Sequence, residues 1–230
     1  MSPAHFAVNF FVALFALIDP VGNVPLFAAA TSGARPAGLR LTAAYIALFS
    51  FAFLAFFFMT GLSLLRFFGI GLAAFRIAGG VLLFLLGLDM ARGQFAANLA
   101  DASDPADLTA GAYARREFER LVVPFAMPLL VGPGAISTVV IYAGEARHMG
   151  VAGQVAGLGV IAAIAVSILA SFWFTGLINR ALGRVGTIIV IRVLGLILCA
   201  LAVQFMLAGI AGSTVGVMRP TAATPYPVGS

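Results

Sequence analysis

The chain contains no lysine and only one cysteine, and charged residues of either sign are scarce. Charged residues make up 9% of the 230 positions and hydrophobic residues 62%, whereas about a quarter of the residues in a soluble domain are charged. This composition excludes a soluble globular domain. Cys199 has no second cysteine with which to form an intrachain disulfide. The two histidines, His5 and His148, lack the cysteine or carboxylate spacing that is typical of a metal site, so we predict none.

What the chain does contain is a series of long apolar runs. A membrane-spanning helix needs about 20 mostly apolar residues, and six such runs follow one another, at residues 6–31, 41–65, 67–90, 121–144, 151–178 and 185–211. We therefore predict an all-α membrane protein with a single transmembrane domain at residues 1–212. The remaining residues, 213–230, are rich in proline, threonine and alanine and are predicted to be a flexible tail.

The arginines predict how the runs are oriented. If the connections alternate between the two sides of the membrane, one side carries Arg35, Arg40, Arg92, Arg115, Arg116, Arg120, Arg180 and Arg184, and the other carries Arg66, Arg147 and Arg219. Cytoplasmic connections carry the excess of positive residues, so the first side is predicted to be cytoplasmic and both termini periplasmic. Because the charges are few, the positive balance does not indicate binding to nucleic acid.

Two stretches of the sequence resemble each other. One begins TGLSLLRFFGIGLAAFR at Thr60, and the other begins TGLINRALGRVGTIIVIR at Thr175. With one residue inserted, Arg76 aligns with Arg192, and both lie inside apolar runs. A repeated Thr-Gly-Leu together with a repeated intramembrane arginine indicates an internal repeat.

This repeat predicts the architecture. Each copy holds three apolar runs, and an odd number makes the second copy enter the membrane from the opposite side. We expect two inverted three-helix repeats, at about residues 6–90 and 121–211, joined by a cytoplasmic linker at residues 91–120. Inverted repeats of this kind are common in secondary transporters.

The first helix of each copy contains helix-breaking residues at mid-membrane. The segment IDPVGNVPLF follows Leu17, and PLLVGPGAIST follows Met127. Proline removes a backbone donor and glycine tolerates left-handed geometry, so helices 1 and 4 should stop near Ile18 and near Leu130 and then restart. Unpaired backbone groups are tolerated in a membrane only where they are buried in protein or line a cavity. The pair of breaks therefore predicts a binding site, and the positive end of each restarted helix suits an anionic group.

These paired motifs, with a charged linker between them, resemble the MarC family of six-helix inner-membrane proteins, also called the neutral amino acid transporter family. The resemblance covers the chain up to about residue 212. It implies a secondary transporter that moves small neutral amino acids or similar metabolites across the bacterial inner membrane, driven by a proton or sodium gradient and without a bound cofactor. The transported substrate, the direction, the coupling ion and the oligomeric state stay open.

The candidate site residues lie at the two breaks. Gly22, Gly132 and Gly134 would let a ligand approach the backbone. Two roles are open for Asp19, and one residue can fill both: it caps the half-helix that begins with Pro20, or it couples transport to a cation, since intramembrane carboxylates are usually functional. Asn23 either caps the restarted helix or donates a hydrogen bond to substrate.

Four further residues are candidates at greater distance from the breaks. Ser137 and Thr138 either bind substrate or bond back to the preceding helical turn, and we favour the second role. Counting depths along the runs places Asp19 and Arg192 at a similar level, which predicts an ion pair between them. Arg76 has no equivalent acid and is the better candidate for a substrate carboxylate.

Other classes of function are less well supported by the residues. An enzyme would need a nucleophile and a base or a metal cluster, and the sequence offers no convincing set. A channel would need a helix with a polar stripe, and none of the runs has one. A membrane scaffold without amino acid transport is the remaining alternative.

Overall fold

The computed structural model of the chain describes residues 2–31, 35–93, 109–121 and 130–213. These residues form eight helices and no strand: α1 (Pro3–Ile18), α2 (Val24–Ala30), α3 (Pro36–Phe67), α4 (Leu72–Arg92), α5 (Ala110–Leu121), α6 (Pro133–His148), α7 (Gly150–Trp173) and α8 (Thr175–Ser213). Four apolar segments are long enough to cross a membrane, namely α3, α4, α7 and residues 188–213 of α8. The protein is thus an all-helical membrane protein, as its composition predicts.

The break predicted in the first helix is confirmed. Helix α1 ends at Ile18, residues 19–23 form a turn, and α2 begins at Val24. In the second half of the chain α6 begins at Pro133, preceded by Gly132 in an extended conformation. The segment expected to form the earlier part of helix 4, including Pro128, lies outside the described residues. The inverted six-helix repeat therefore stays a prediction.

Three helix boundaries differ from those predicted. Helix α3 ends at Phe67, because Gly69 adopts a left-handed φ of 64°, and α4 starts only at Leu72 rather than at residue 67. The connection predicted between the fifth and sixth runs, residues 179–184, continues the helix, and α8 runs unbroken over 39 residues. It contains no proline that would interrupt it.

The end of the predicted linker forms a helix as well. Helix α5 packs against α3, with the ring of Tyr113 lying over Gly38 and the ring of Phe118 contacting Tyr45 and Phe49. Arg115 and Arg116 lie on the opposite, exposed face of α5. Residues 110–121 are thus a packed amphipathic helix, whereas the expected arrangement was a solvated connector.

The tightest helix pair consists of α4 and α8, which cross through small residues. Ala73, Gly80 and Gly87 repeat every seven residues on α4, and Gly195, Ala202 and Gly209 do so on α8. The three pairs meet in antiparallel register: a Cβ on Gly87 would lie 2.8 Å from the Gly195 carbonyl oxygen, one on Gly80 2.8 Å from that of Ala202, and one on Gly209 2.7 Å from that of Ala73. Small residues let two backbones approach this closely within a membrane.

Contacts at the helix ends show which ends share a side. The guanidinium of Arg40, near the start of α3, lies 4.9 Å from the ring centroid of Trp173 at the end of α7. At the other end of α3, Nη2 of Arg147 donates to the carbonyl of Met59. Helices α3 and α6 therefore end on one side, whereas α7 ends on the side where α3 begins. This agrees with the alternation that the arginine count assumed.

Candidate functional site

Asp19 terminates α1 and holds the following turn. It is the one described non-glycine residue with a positive φ, 42°, a conformation that aspartate tolerates better than most residues. Its Oδ1 accepts a hydrogen bond from the N–H of Gly22 at 3.0 Å, three residues further along. Asp19 is thus the C-cap of α1 and holds the turn that follows, whereas the predicted cap of a half-helix starting at Pro20 is wrong, because α2 begins only at Val24.

Gly22 leaves no room for a side chain. A Cβ at this position would overlap the carboxylate of Asp19. The glycine is therefore needed for the bond from its own N–H to Asp19, and the approach of a ligand at Gly22 stays a prediction.

Asn23 stabilises the end of α1 and does not cap α2. It occupies the N-cap position of α2, but its side chain makes no capping bond there. Instead its amide Nδ2 donates to the carbonyls of Ile18 at 2.7 Å and of Asp19 at 3.1 Å. Both amide hydrogens are used in this way and the side chain is buried, so Asn23 is not available as a donor to substrate.

We expect Asn23→Leu to lower the free energy of unfolding by about 1–3 kcal/mol, because two carbonyls at the end of α1 would lose their partner in a buried setting. Thermal unfolding in detergent measures this loss. Asn9→Leu is the matched control, since Asn9 is exposed on α1, the helix whose end Asn23 stabilises. This change should alter stability little. Equal stability of the two variants would contradict this role of Asn23.

The start of α6 is a second open backbone segment. Gly132 precedes the helix, Pro133 is its first residue, and no side chain caps it. The first amides of a helix lack intrahelical acceptors and carry its positive partial charge. Gly134 is buried, and a Cβ there would lie 2.6 Å from the ring of Phe205 on α8.

A small cavity connects the two breaks. Its walls include Leu17 at the end of α1, Leu83 of α4, Gly132 and Gly134 of α6, and Leu201 and Phe205 of α8. Its volume is about 20 Å³, which is room for one water molecule. The end of the first half-helix and the start of α6 thus line the same small cavity.

Ser137 and Arg76 each have a buried side-chain atom without a hydrogen-bond partner among the described residues. Ser137 is 1% exposed, and its Oγ does not make the bond to the preceding turn that we favoured from the sequence. The Nε of Arg76 is likewise buried and unpaired. Thr138 is half-buried on α6. Arg76 is only four residues into α4, which begins at Leu72. The predicted run begins at residue 67, so it placed Arg76 deeper along the helix than the structure does.

The ion pair predicted between Asp19 and Arg192 does not form. Among the described residues the one ion pair within 4.0 Å joins Arg115 to Glu119. Arg192 lies instead beside Gly93, with Nη2 3.3 Å from the position of a Cβ there. Gly93 ends α4 in a left-handed conformation, and the negative end of a helix favours a nearby cation. A similar depth in the membrane is therefore not enough to bring the side chains of Asp19 and Arg192 together.

The burial of Glu117 was not predicted from the sequence. It is only 3% exposed, although it lies within the charged segment YARREFER. The signal was its spacing: Tyr113, Glu117 and Leu121 are four residues apart, and all three are buried on one face of α5.

The chain is similar to known membrane proteins over nearly its whole length. The model of the MarC family, described as an integral membrane protein, matches residues 4–214. A UPF0056 membrane protein of Methanocaldococcus jannaschii is 36% identical over 203 residues, which cover 88% of this chain and 95% of that protein. YhcE of Escherichia coli, also a UPF0056 membrane protein, is 31% identical over 217 residues, covering 94% and 96%. These names state no substrate and no reaction. No solved structure matches.

Proposed function

The chain belongs to the MarC family of integral membrane proteins, and we propose that it is a secondary transporter of small neutral amino acids. The transport would cross the bacterial inner membrane and would be coupled to a proton or sodium gradient. The transported molecule would bind where the two helix breaks meet.

One observation carries this proposal: Leu17, Gly132 and Gly134 line the same cavity. Backbone amides at the start of α6 are open there, and such a segment is tolerated in a membrane where it lines a cavity. The present cavity, about 20 Å³, is too small for an amino acid. An alternating-access cycle accounts for this, because the same site must open to each side in turn and close between.

The helix contacts support an inverted arrangement. Helix α4 packs on α8 and α3 packs on α7, and each of these pairs joins the corresponding members of the two predicted repeats. The contact between α2 and α8 corresponds to the contact between α6 and α4. The contact between α1 and α7 corresponds to the contact between α5, at the end of the predicted linker, and α3. Other contacts do not follow this correspondence, since α6 packs on α3 and on α7 whereas α2 contacts α7 only slightly.

Uptake by the purified protein in proteoliposomes tests the proposal. A panel of radiolabelled amino acids would be offered with a proton gradient, with a sodium gradient and with neither. We expect gradient-dependent accumulation of small neutral members such as alanine, glycine or serine. Uptake that only equilibrates and is unaffected by either gradient would favour a channel, and no uptake of any member would favour a scaffold.

The same account predicts that both termini lie in the periplasm. Alkaline phosphatase fused after Ser213 should be active, because it is active only outside the cytoplasm, and a fluorescent protein fused there should stay dark. A phosphatase fusion within residues 94–108 is the matched control and should be inactive. The reverse pattern would invert the proposed orientation.

A further inference from the structure

Among the buried polar atoms that lack hydrogen-bond partners in the part of the chain that the structure describes, two lie on neighbouring helices that pack together. They are Nε of Arg76 on α4 and Oγ of Ser137 on α6. Leaving a buried polar group unpaired is costly, more so for a charged one. Two such groups at one helix contact indicate that something else binds there.

The packing of α4 on α6 places the two groups opposite each other. The helices meet where the ring of Pro133 lies against Gly79, which has no room for a Cβ. Arg76 precedes Gly79 by three residues and Ser137 follows Pro133 by four, so each lies on the contacting face of its helix. Because α4 and α6 run in opposite directions, both are displaced from the contact toward the same side, by about 5–6 Å.

The chemistry of this place favours an anion. A guanidinium has only donors, arranged as a fork that fits a carboxylate, and a serine hydroxyl can donate as well. Within the described residues no carboxylate lies within ion-pair distance of Arg76. An anion bound from outside the chain would supply the partner that the described residues do not.

We infer that Arg76 and Ser137 form a carboxylate subsite, in which the guanidinium fork and the hydroxyl donate to the two oxygens of a bound carboxylate. The identification of this group with the α-carboxylate of an amino acid rests on the proposed function. The subsite and the cavity between the breaks lie on opposite sides of the contact between Gly79 and Pro133, since Arg76 is one turn before Gly79 on α4 and Leu83 of the cavity wall is one turn after it. A substrate must then carry a free carboxylate, whatever its side chain.

Ligand-induced thermal stabilisation of the purified protein in detergent tests this inference without requiring transport. The probes are L-alanine, propionate, which lacks the amino group, and alaninamide, which lacks the carboxylate. We expect L-alanine and propionate to stabilise the wild type and alaninamide to have no effect. In Arg76→Gln and in Ser137→Ala the apparent Kd for L-alanine should rise by about 10- to 100-fold, the effect of losing a charge-assisted hydrogen bond.

Matched controls separate binding from folding. Arg66→Gln and Ser63→Ala change exposed residues of α3 and should leave the apparent Kd unchanged. Ser137→Ala removes a single oxygen, so it keeps the test available if Arg76→Gln does not fold.

The outcomes distinguish the subsite from the proposed function. Stabilisation by propionate that is lost in Arg76→Gln, without uptake of any amino acid, would support the subsite and count against amino acid transport. Stabilisation by alaninamide equal to that by L-alanine, in a protein that does transport, would overturn the subsite alone. Failure of all three probes to stabilise the wild type would also overturn it.

Discussion

The variant Gly134→Leu should insert and fold but transport at about 1% of the wild-type rate or less, a loss of about 3 kcal/mol in the free energy of the bound or translocating state. Gly134 lines the cavity between the breaks, and a Cβ there would already lie 2.6 Å from the ring of Phe205. A leucine would fill the cavity and separate α6 from α8. Initial uptake rates in proteoliposomes, normalised to the amount of reconstituted protein, measure the effect.

Gly144→Leu is the matched control on the same helix. A Cβ on Gly144 would meet only the side chain of Leu62, at 3.8 Å, an ordinary contact distance. This variant should keep most of the activity. Normal uptake by Gly134→Leu would remove the start of α6 from the transport pathway, and equal losses in both variants would assign the effect to helix packing.

The second large effect is expected at the crossing of α4 and α8. Gly87→Leu should lower the free energy of unfolding by about 3 kcal/mol or more, because its side chain must displace the backbone of the partner helix. A Cβ on Gly87 would lie 2.8 Å from the carbonyl oxygen of Gly195 and 2.9 Å from the backbone nitrogen of Cys199. Thermal unfolding in detergent and the monodisperse fraction in size-exclusion chromatography report the loss.

Gly159→Leu makes the same exchange in an open position. No atom lies within 4 Å of a Cβ on Gly159, which is exposed on α7. The control should therefore be as stable as the wild type. A Gly87→Leu protein of wild-type stability would show that the close α4–α8 contact is not needed for the fold.

Features that depend on neighbouring residues could be predicted from the sequence. The end of α1 at Ile18 follows from the aspartate, proline and glycine that come directly after it. The bond from the N–H of Gly22 to Asp19 joins residues of the same short segment, three positions apart. Local geometry of this kind leaves few alternatives.

Features that depend on the direction of a side chain could not be predicted. The pair of Asp19 and Arg192 was inferred from depth alone, but depth does not fix the rotation of a residue about its helix axis. The side chain of Arg192, a residue of α8, lies beside Gly93 at the end of α4. Asn23 donates backwards to Ile18 rather than forwards into α2, because the turn between the helices folds its amide over the end of α1.

Helix boundaries in apolar runs were the other source of error. Hydropathy does not distinguish the turn at Gly69 from the helices that flank it, and so α4 was started five residues too early. That error made Arg76 appear deeper along α4 than it is. Its relation to Ser137 became apparent only from the contact between Gly79 and Pro133, which joins residues more than 50 positions apart in the sequence.

Counterflow tests the central claim, transport by alternating access at the two breaks, most directly. Proteoliposomes loaded with a high concentration of unlabelled L-alanine are diluted into a trace of labelled L-alanine without any ion gradient. A transporter should accumulate label transiently above the external concentration, because unlabelled molecules leaving the liposome return the site to the outside to bind labelled ones. Gly134→Leu should abolish this overshoot and Gly144→Leu should retain it. Label that rises only to equilibrium in the wild type, with no overshoot, would contradict the account.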